Sequence, residues 1–232
     1  ATLEATFGGL KVRAEFDALV AVTGAHVICR VDGTEQGLFS TITLRAGQTL
    51  ELSTPTWGLR SYVAVRGGID VPAVLGSRST DTMSGIGPAP LSPGDVLNVG
   101  NGSAEWPAAD FVPPPTLHET LHVKFGPRDG WFTEHASKTL VQQPWTVTPD
   151  TDRVGIRLDG SEPLARAIDG ELSSEGMVLG SLQVPPSGKP VLFLADHPVT
   201  GGYPVIAVVT AADVSVAAQL TPGTRVRFRA IG

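Results

Sequence analysis

Short apolar stretches of strand length run through the whole chain, each broken within a few residues by glycine or proline. Ala25 to Val31 reads as an apolar strand leading into Asp32-Gly33, a pair that accepts positive φ in a two-residue hairpin turn. Thr41 to Leu44 meets Ala46-Gly47 and then Gln48 to Leu52. Leu59 to Val65 alternates, with one slip at Tyr62, before Arg66-Gly67-Gly68. Leu91-Ser92-Pro93-Gly94-Asp95-Val96-Leu97 predicts a turn and a strand that close the first half. The pattern Leu-x-x-Gly-x-x-(Leu/Val) recurs from Leu44, Leu91 and Leu220, which is turn chemistry feeding a strand. In the second half Leu121 to Phe125 predicts a strand. Phe132, Ala136 and Leu140 recur at helical spacing and predict a helix over Trp131 to Val141. Thr210, with Asp213 three positions on, predicts the cap of a second helix through a variant capping box. Pro113 to Pro115 favour a stiff polyproline II spacer within residues 100–116. The expected organisation is an N-terminal β domain over residues 1–112 and a C-terminal β domain over 113–232.

The composition supports this reading. The chain has 27 glycines and 19 prolines in 232 residues, about a fifth, against roughly 12% in average proteins. Helices tolerate both residues poorly, so a helical bundle is excluded and a mainly β fold with a few short helices is expected. A net charge of −6 without a basic run excludes a nucleic-acid footprint. No stretch reaches the roughly 18 apolar residues of a membrane span. A single cysteine, Cys29, excludes an internal disulfide and a Cys-rich metal site, and its apolar surroundings read as a buried, inert thiol. With no signal peptide, the expected compartment is cytoplasmic.

Candidate chemistry lies in a few polar clusters. His118-Glu119-Thr120-Leu121-His122 matches H-E-x-x-H, but the zinc chemistry of that motif needs a helix. Here three prolines precede it and Leu121, Val123 and Phe125 alternate as in a strand. A strand would set the two histidines about 13 Å apart, so no metal site is expected. Gly67 and Gly68 mark one glycine loop. Gly76-Ser77-Arg78-Ser79-Thr80-Asp81 packs hydroxyls and an arginine into another, able to hold an oxyanion, or else closed by an Arg78–Asp81 pair. Asp196-His197-Pro198-Val199-Thr200-Gly201-Gly202-Tyr203-Pro204 follows an apolar strand and suits a ligand loop. Asp196 and His197 are adjacent and point opposite ways on an extended chain, so they do not form a ready acid–base pair. The alternative is a turn whose aspartate satisfies backbone donors.

These same residues carry a resemblance. Val65 to Pro72, Val74 to Asp81, Leu91 to Val99, Phe125-Gly126-Pro127-Arg128-Asp129, Asp152 to Leu158, Glu171 to Gly176, Gly180 to Pro185 and Thr200 to Pro204 occur in the order found in one family. The chain resembles allophanate hydrolase subunit 2, also known as the C component of 5-oxoprolinase, KipI antagonist or biotin-dependent carboxyltransferase. The resemblance implies cyclophilin-like barrel architecture, with the barrel in residues 113–232. It also implies a KipI-like partner subunit and a small-molecule substrate. The implied activity is ATP-dependent opening of a small cyclic amide such as 5-oxoproline. The alternatives are carboxyl transfer from carboxybiotin on a carrier to urea, or non-catalytic sequestration of a KipI-like kinase inhibitor. No tightly bound cofactor is implied; ATP enters as co-substrate. By the same resemblance Gly67, Gly68, Arg78, Ser79 and Thr80, together with Arg128, Asp152, Arg153, Glu175, Gln183, Thr200, Gly201, Gly202 and Tyr203, are ligand-binding candidates, and Asp196 is the catalytic candidate. Two departures stand out. The family's last loop often reads Gln-Thr-Thr-Gly-Gly-Tyr-Pro-Lys, whereas this chain has Pro198-Val199-Thr200-Gly201-Gly202-Tyr203-Pro204-Val205. A Gln-Asp-Leu-Gly-Arg-like segment common at the family's N-terminus is also missing before Ala1, so the chain is expected to be a member short of that segment.

Overall fold

The computed structural model describes residues 1–101, 106–116 and 118–232, so Gly102 to Glu105 of the predicted spacer lie outside the described residues. The chain divides into two compact units, Ala1–Thr116 and Leu117–Gly232.

The first unit contains β1 (Leu3–Thr6), β2 (Lys11–Arg13), β3 (Ala18–His26), β4 (Cys29–Val31), β5 (Thr34–Gln36), β6 (Thr41–Leu44), β7 (Thr49–Leu52) and β8 (Trp57–Val65). They form two four-stranded antiparallel sheets, ordered β1-β8-β3-β6 and β2-β7-β4-β5. Alternate residues, such as Ile42 and Leu44 of β6 and Leu50 and Leu52 of β7, enter one core with Val20, Val22, Cys29, Val31 and Val63. The β4–β5 turn has the expected chemistry, with φ of 47° at Asp32 and 84° at Gly33.

Two local expectations fail here. Ala25 to Val31 is not one strand: β3 ends at His26 after a register irregularity against β8, and β4 opens at Cys29 in the other sheet. A continuous apolar run cannot reveal such a change of sheet, because both halves bury into the same core. Leu91 to Leu97 forms its turn but no strand, and Val96 stays 85% exposed. Leu97 packs against the first-unit core, but Leu91 and Val96 stay exposed, so the segment lacks the alternating buried face that would favour a ladder.

The second unit contains β9 (Thr120–Phe125), a 3₁₀ turn (Asp129–Trp131), α1 (Glu134–Gln142), β10 (Trp145–Val147), β11 (Gly155–Asp159), β12 (Glu175–Gly176), β13 (Ser181–Gln183), β14 (Val191–Phe193), β15 (Thr200–Gly201), β16 (Val205–Val209), α2 (Ala211–Ala217) and β17 (Arg225–Ala230). Seven of these strands close a barrel in the order β10-β11-β14-β13-β16-β9-β17. Closure removes the sheet edges. Leu121, Val123, Leu158, Leu182, Leu192, Ile206, Val226 and Phe228 share its core with Phe132, Ala136 and Leu140 from the α1 region. β12 and β15 pair with each other as a small two-stranded arm.

The early helix is shorter than its apolar spacing predicts. Thr133 caps α1 by accepting from the Ala136 N–H at 3.0 Å, so Phe132 packs from outside the helix. Trp145 is fully buried and donates its indole N–H to the Leu140 carbonyl at 2.9 Å, which seals the helix C-terminus. The predicted capping box of α2 does not form. Thr210 sits at the N-cap without a side-chain bond, and Asp213 turns toward β9. Among the described residues no helix is long and apolar enough to cross a membrane.

Candidate functional site

The arm built by β12 and β15 gathers most of the second-unit candidates. Its ladder sets Glu175 opposite Gly201 and Gly176 opposite Thr200. Arg128, reached directly from β9, donates from Nε to Glu175 Oε1 at 2.7 Å and holds the arm from one side. Gln183 ends β13 beneath it, only 7% exposed, and its Nε2 donates to the Tyr203 carbonyl at 3.1 Å. That carbonyl can only accept, which fixes the orientation of the amide. Gln183 Oε1 therefore faces away from Tyr203, and no group among the described residues donates to it. Gly201 is glycine for a reason of space: a Cβ there would lie 2.4 Å from Gln183 Nε2 and 3.2 Å from Met177 Sδ. Gly202 is more open, its nearest neighbour being the Leu172 carbonyl at 3.6 Å from such a Cβ.

Met177, Phe193 and Val205 form a small apolar cluster separate from the barrel core. It links Gln183 and Gly201, through Met177, to His197, through Phe193. The Arg153 guanidinium grips Asp196, donating from Nε to Oδ2 at 2.7 Å and from Nη2 to Oδ1 at 3.4 Å. His197 turns to the Pro198 carbonyl through Nδ1 and stacks on Phe193 at 6.1 Å, so it makes no pair with Asp196. The Asp152 carboxylate accepts from the Val154 and Gly155 N–H groups at 2.8 and 3.1 Å and shapes the turn into β11. Val205, where the family loop often carries lysine, is 3% exposed and belongs to the apolar cluster.

The first-unit candidates lie in the loops after β8. Gly67 and Gly68 have φ of 101° and 72°, and a Cβ on Gly67 would meet the Gly100 carbonyl at 2.2 Å. Both glycines therefore serve a close backbone crossing, bonded through Gly100 N–H to the Gly68 carbonyl at 2.9 Å. Arg78 does not pair with Asp81; it meets Asp70 at 3.4 Å. Asp81 instead accepts from the Met83 and Ser84 N–H groups, the local turn bonding typical of aspartate. Ser79 N–H donates to Ser77 Oγ, and the Thr80 hydroxyl donates to the Pro88 carbonyl.

The H-E-x-x-H segment is strand from Thr120 onward, but its histidines are not 13 Å apart. His118 precedes β9 and folds back, with Nδ1 at 2.7 Å from the Thr120 carbonyl, so the ring centroids lie 6.5 Å apart. Both rings approach buried Asp213: His122 Nδ1 at 2.9 Å and His118 Nε2 at 3.4 Å. Burial pushes the Asp213 carboxyl up. The His122 backbone N–H, at 2.6 Å, and ring, with the charge of His118 and His122, outweigh burial and hold it below the usual carboxylate value. Among the described residues no group of three His, Cys, Asp or Glu side chains is placed to hold a metal ion. The pattern at Thr210–Asp213 was legible, but its partner lies 91 residues earlier, a distance no local signal bridges.

Comparison with known proteins decides the family. The model of the carboxyltransferase domain, subdomains A and B, matches residues 1–230. The chain belongs to this family. It is 37% identical over 229 residues to the C component of 5-oxoprolinase from Escherichia coli K12, covering 97% of this chain and 74% of that protein. It is 30% identical to the urea amidolyase of Saccharomyces cerevisiae over 97% of this chain and 14% of that much longer protein. The crystal structure of the Kluyveromyces lactis urea amidolyase superposes with a TM-score of 0.89 at 30% identity, over all of this chain and 16% of that one. The mainly β fold and the closed barrel are therefore those of carboxyltransferase domains.

Proposed function

We propose that this chain is a subunit of a heteromeric, ATP-dependent amidohydrolase that opens a small cyclic amide of the 5-oxoproline type and works with a KipI-like subunit. The carrying observation is Gln183. It is an amide almost wholly buried beneath Gly201, with one end tied to the Tyr203 carbonyl and Oε1 left to accept a hydrogen bond. Oε1 is not itself enclosed and makes no bond among the described residues, so it is open to accept from a ligand that brings an N–H, as a lactam does. Similarity to the C component of 5-oxoprolinase along nearly the whole chain supports the same reading. In the reaction one lactam C–N bond breaks. Two waters are consumed: one supplies the hydroxyl to the carbonyl carbon and a proton to the nitrogen, and the second completes the cleavage of ATP to ADP and phosphate. An acyl-phosphate route asks these residues for positioning and charge stabilisation. In this reading Arg128 and Glu175 brace the arm, Thr200 to Tyr203 line the ligand, and Asp196, fixed by Arg153, is the catalytic acceptor. Arg78, Ser79 and Thr80 hold an anionic group.

The test is to incubate the purified complex with ATP and 5-oxoproline and to measure glutamate and ADP. Stoichiometric release of both is expected; neither above background sinks the reading. The match to the carboxyltransferase family and the urea amidolyase relatives favour a second reading, carboxyl transfer from carboxybiotin. That reading predicts dependence on a biotinylated carrier, so activity indifferent to avidin counts against it.

A further inference from the structure

Arg166 lies outside every motif and outside the pairs described above. Its backbone is fixed: Phe132 bridges to it, and its neighbours Ala165 and Ala167 bond to Thr133 and Trp131. Arg128 opens the segment that Arg166 bonds against, so the two arginines stand on neighbouring segments that are distant in sequence. Arg166 Cζ lies 5.9 Å from the Tyr203 ring centroid, and Nη2 donates to the Val184 carbonyl at 2.9 Å. Val184 follows Gln183, and Tyr203 accepts from Gln183, so Arg166 and Gln183 are immediate neighbours around Tyr203.

Arg166 has no charge partner among the described residues. Arg128 and Arg153 each grip a carboxylate, and Arg157, Arg225, Arg227 and Arg229 are exposed to water. Arg166 is half-buried, and no carboxylate of the described residues lies within ion-pair distance. Its Nε is enclosed with no acceptor. A partly desolvated cation is unfavourable unless an anion faces it; the enclosed Nε is out of a ligand's reach, so that anion must meet the Nη groups. The hold of Val184 on one N–H leaves Nη1 and the second N–H of Nη2 as a planar fork, which matches a carboxylate edge.

We propose that Arg166 holds the carboxylate of a small lactam acid whose ring N–H is accepted by Gln183 Oε1. The assignment rests on the lactam reading above and names its anion-recognising residue. The pairing favours a carboxylate over a phosphate, because a phosphate brings no N–H for Gln183.

The test compares wild type, Arg166→Gln and Arg166→Lys. Each is assayed in the reconstituted complex and titrated calorimetrically as the full chain. The probes are 5-oxoproline, 2-pyrrolidinone (the same lactam without a carboxylate) and inorganic phosphate. For Arg166→Gln, KM and Kd for 5-oxoproline are expected to rise roughly 10- to 100-fold, the factor for losing one charge-assisted pair. The values for 2-pyrrolidinone and KM for ATP stay unchanged, and Arg166→Lys recovers part of the loss. Equal losses for both lactams mark a structural role and overturn the proposal, as does a loss confined to ATP or phosphate. If Arg166→Gln fails to melt like wild type, Arg166→Lys carries the comparison, and unchanged 5-oxoproline affinity in it overturns the proposal. A wild-type complex that binds 5-oxoproline through Arg166 without hydrolysing it refutes the hydrolase reading and supports this one. A wild type that binds no 5-oxoproline overturns this one.

Discussion

Gly201→Ala is the most informative perturbation of the candidate site. Gly201 carries no positive φ, so alanine brings no backbone strain, and the whole effect is steric. The new Cβ would stand 2.4 Å from Gln183 Nε2, more than half an ångström inside ordinary contact. The amide must swing aside and release the Tyr203 carbonyl, now at 3.1 Å. Losing this part-buried hydrogen bond costs about 0.5–1.5 kcal/mol, with a melting shift of roughly 2–4 °C per kcal/mol for a chain of this size. The same swing removes Gln183 Oε1 from the ligand, so substrate affinity falls further than stability does. The assay is a double-mutant cycle with Gln183→Ala, read by chemical denaturation and by KM for the lactam. In the Gln183→Ala background the 2.4 Å clash is gone and only the Met177 contacts at 3.2 and 3.3 Å remain, so Gly201→Ala should cost less there, with a coupling of about 0.5–1.5 kcal/mol. Additive costs would refute the steric argument and with it the placement of the Gln183 amide.

Three further outcomes follow from the geometry. Asp213 has its folded pKa lowered, so its stabilising contribution is present above the unfolded carboxylate value and is lost as pH falls through the folded one. Asp213→Asn should therefore flatten the acid limb of a stability–pH profile; an unchanged limb contradicts the role of its histidine contacts. Cys29 is 1% exposed and burial pushes its thiol up, so native protein should react with a thiol reagent only at its opening rate, and prompt labelling would contradict that burial. Asp196→Asn removes one carboxylate oxygen from Arg153 but keeps the shape of the side chain; turnover should fall at least tenfold with a near-normal melt, and full activity removes Asp196 from the mechanism.

The β-rich architecture was legible because turn chemistry is local. Asp32-Gly33 and the spacing of Phe132, Ala136 and Leu140 each carry their meaning within a few residues. What stayed hidden depends on partners distant in sequence. Arg78 meets Asp70 instead of Asp81, because the Asp81 carboxylate is taken by the turn that follows it. Asp213 bonds β9, so its capping role at Thr210 is lost. Gly201-Gly202 was visible as a loop, but why Gly201 must be glycine depends on Gln183, eighteen positions earlier and in another strand. Arg166 offered no signal at all, since its meaning lies in the absence of a carboxylate that only the fold reveals.

The most direct measurement is coupled turnover by the purified complex, with ADP and glutamate followed together for wild type and for Gln183→Ala. Wild type should release one glutamate per ADP from 5-oxoproline, while Gln183→Ala should raise KM for 5-oxoproline at least tenfold and leave KM for ATP in place. Wild-type turnover that Gln183→Ala leaves untouched, or no glutamate from wild type at all, would contradict the account.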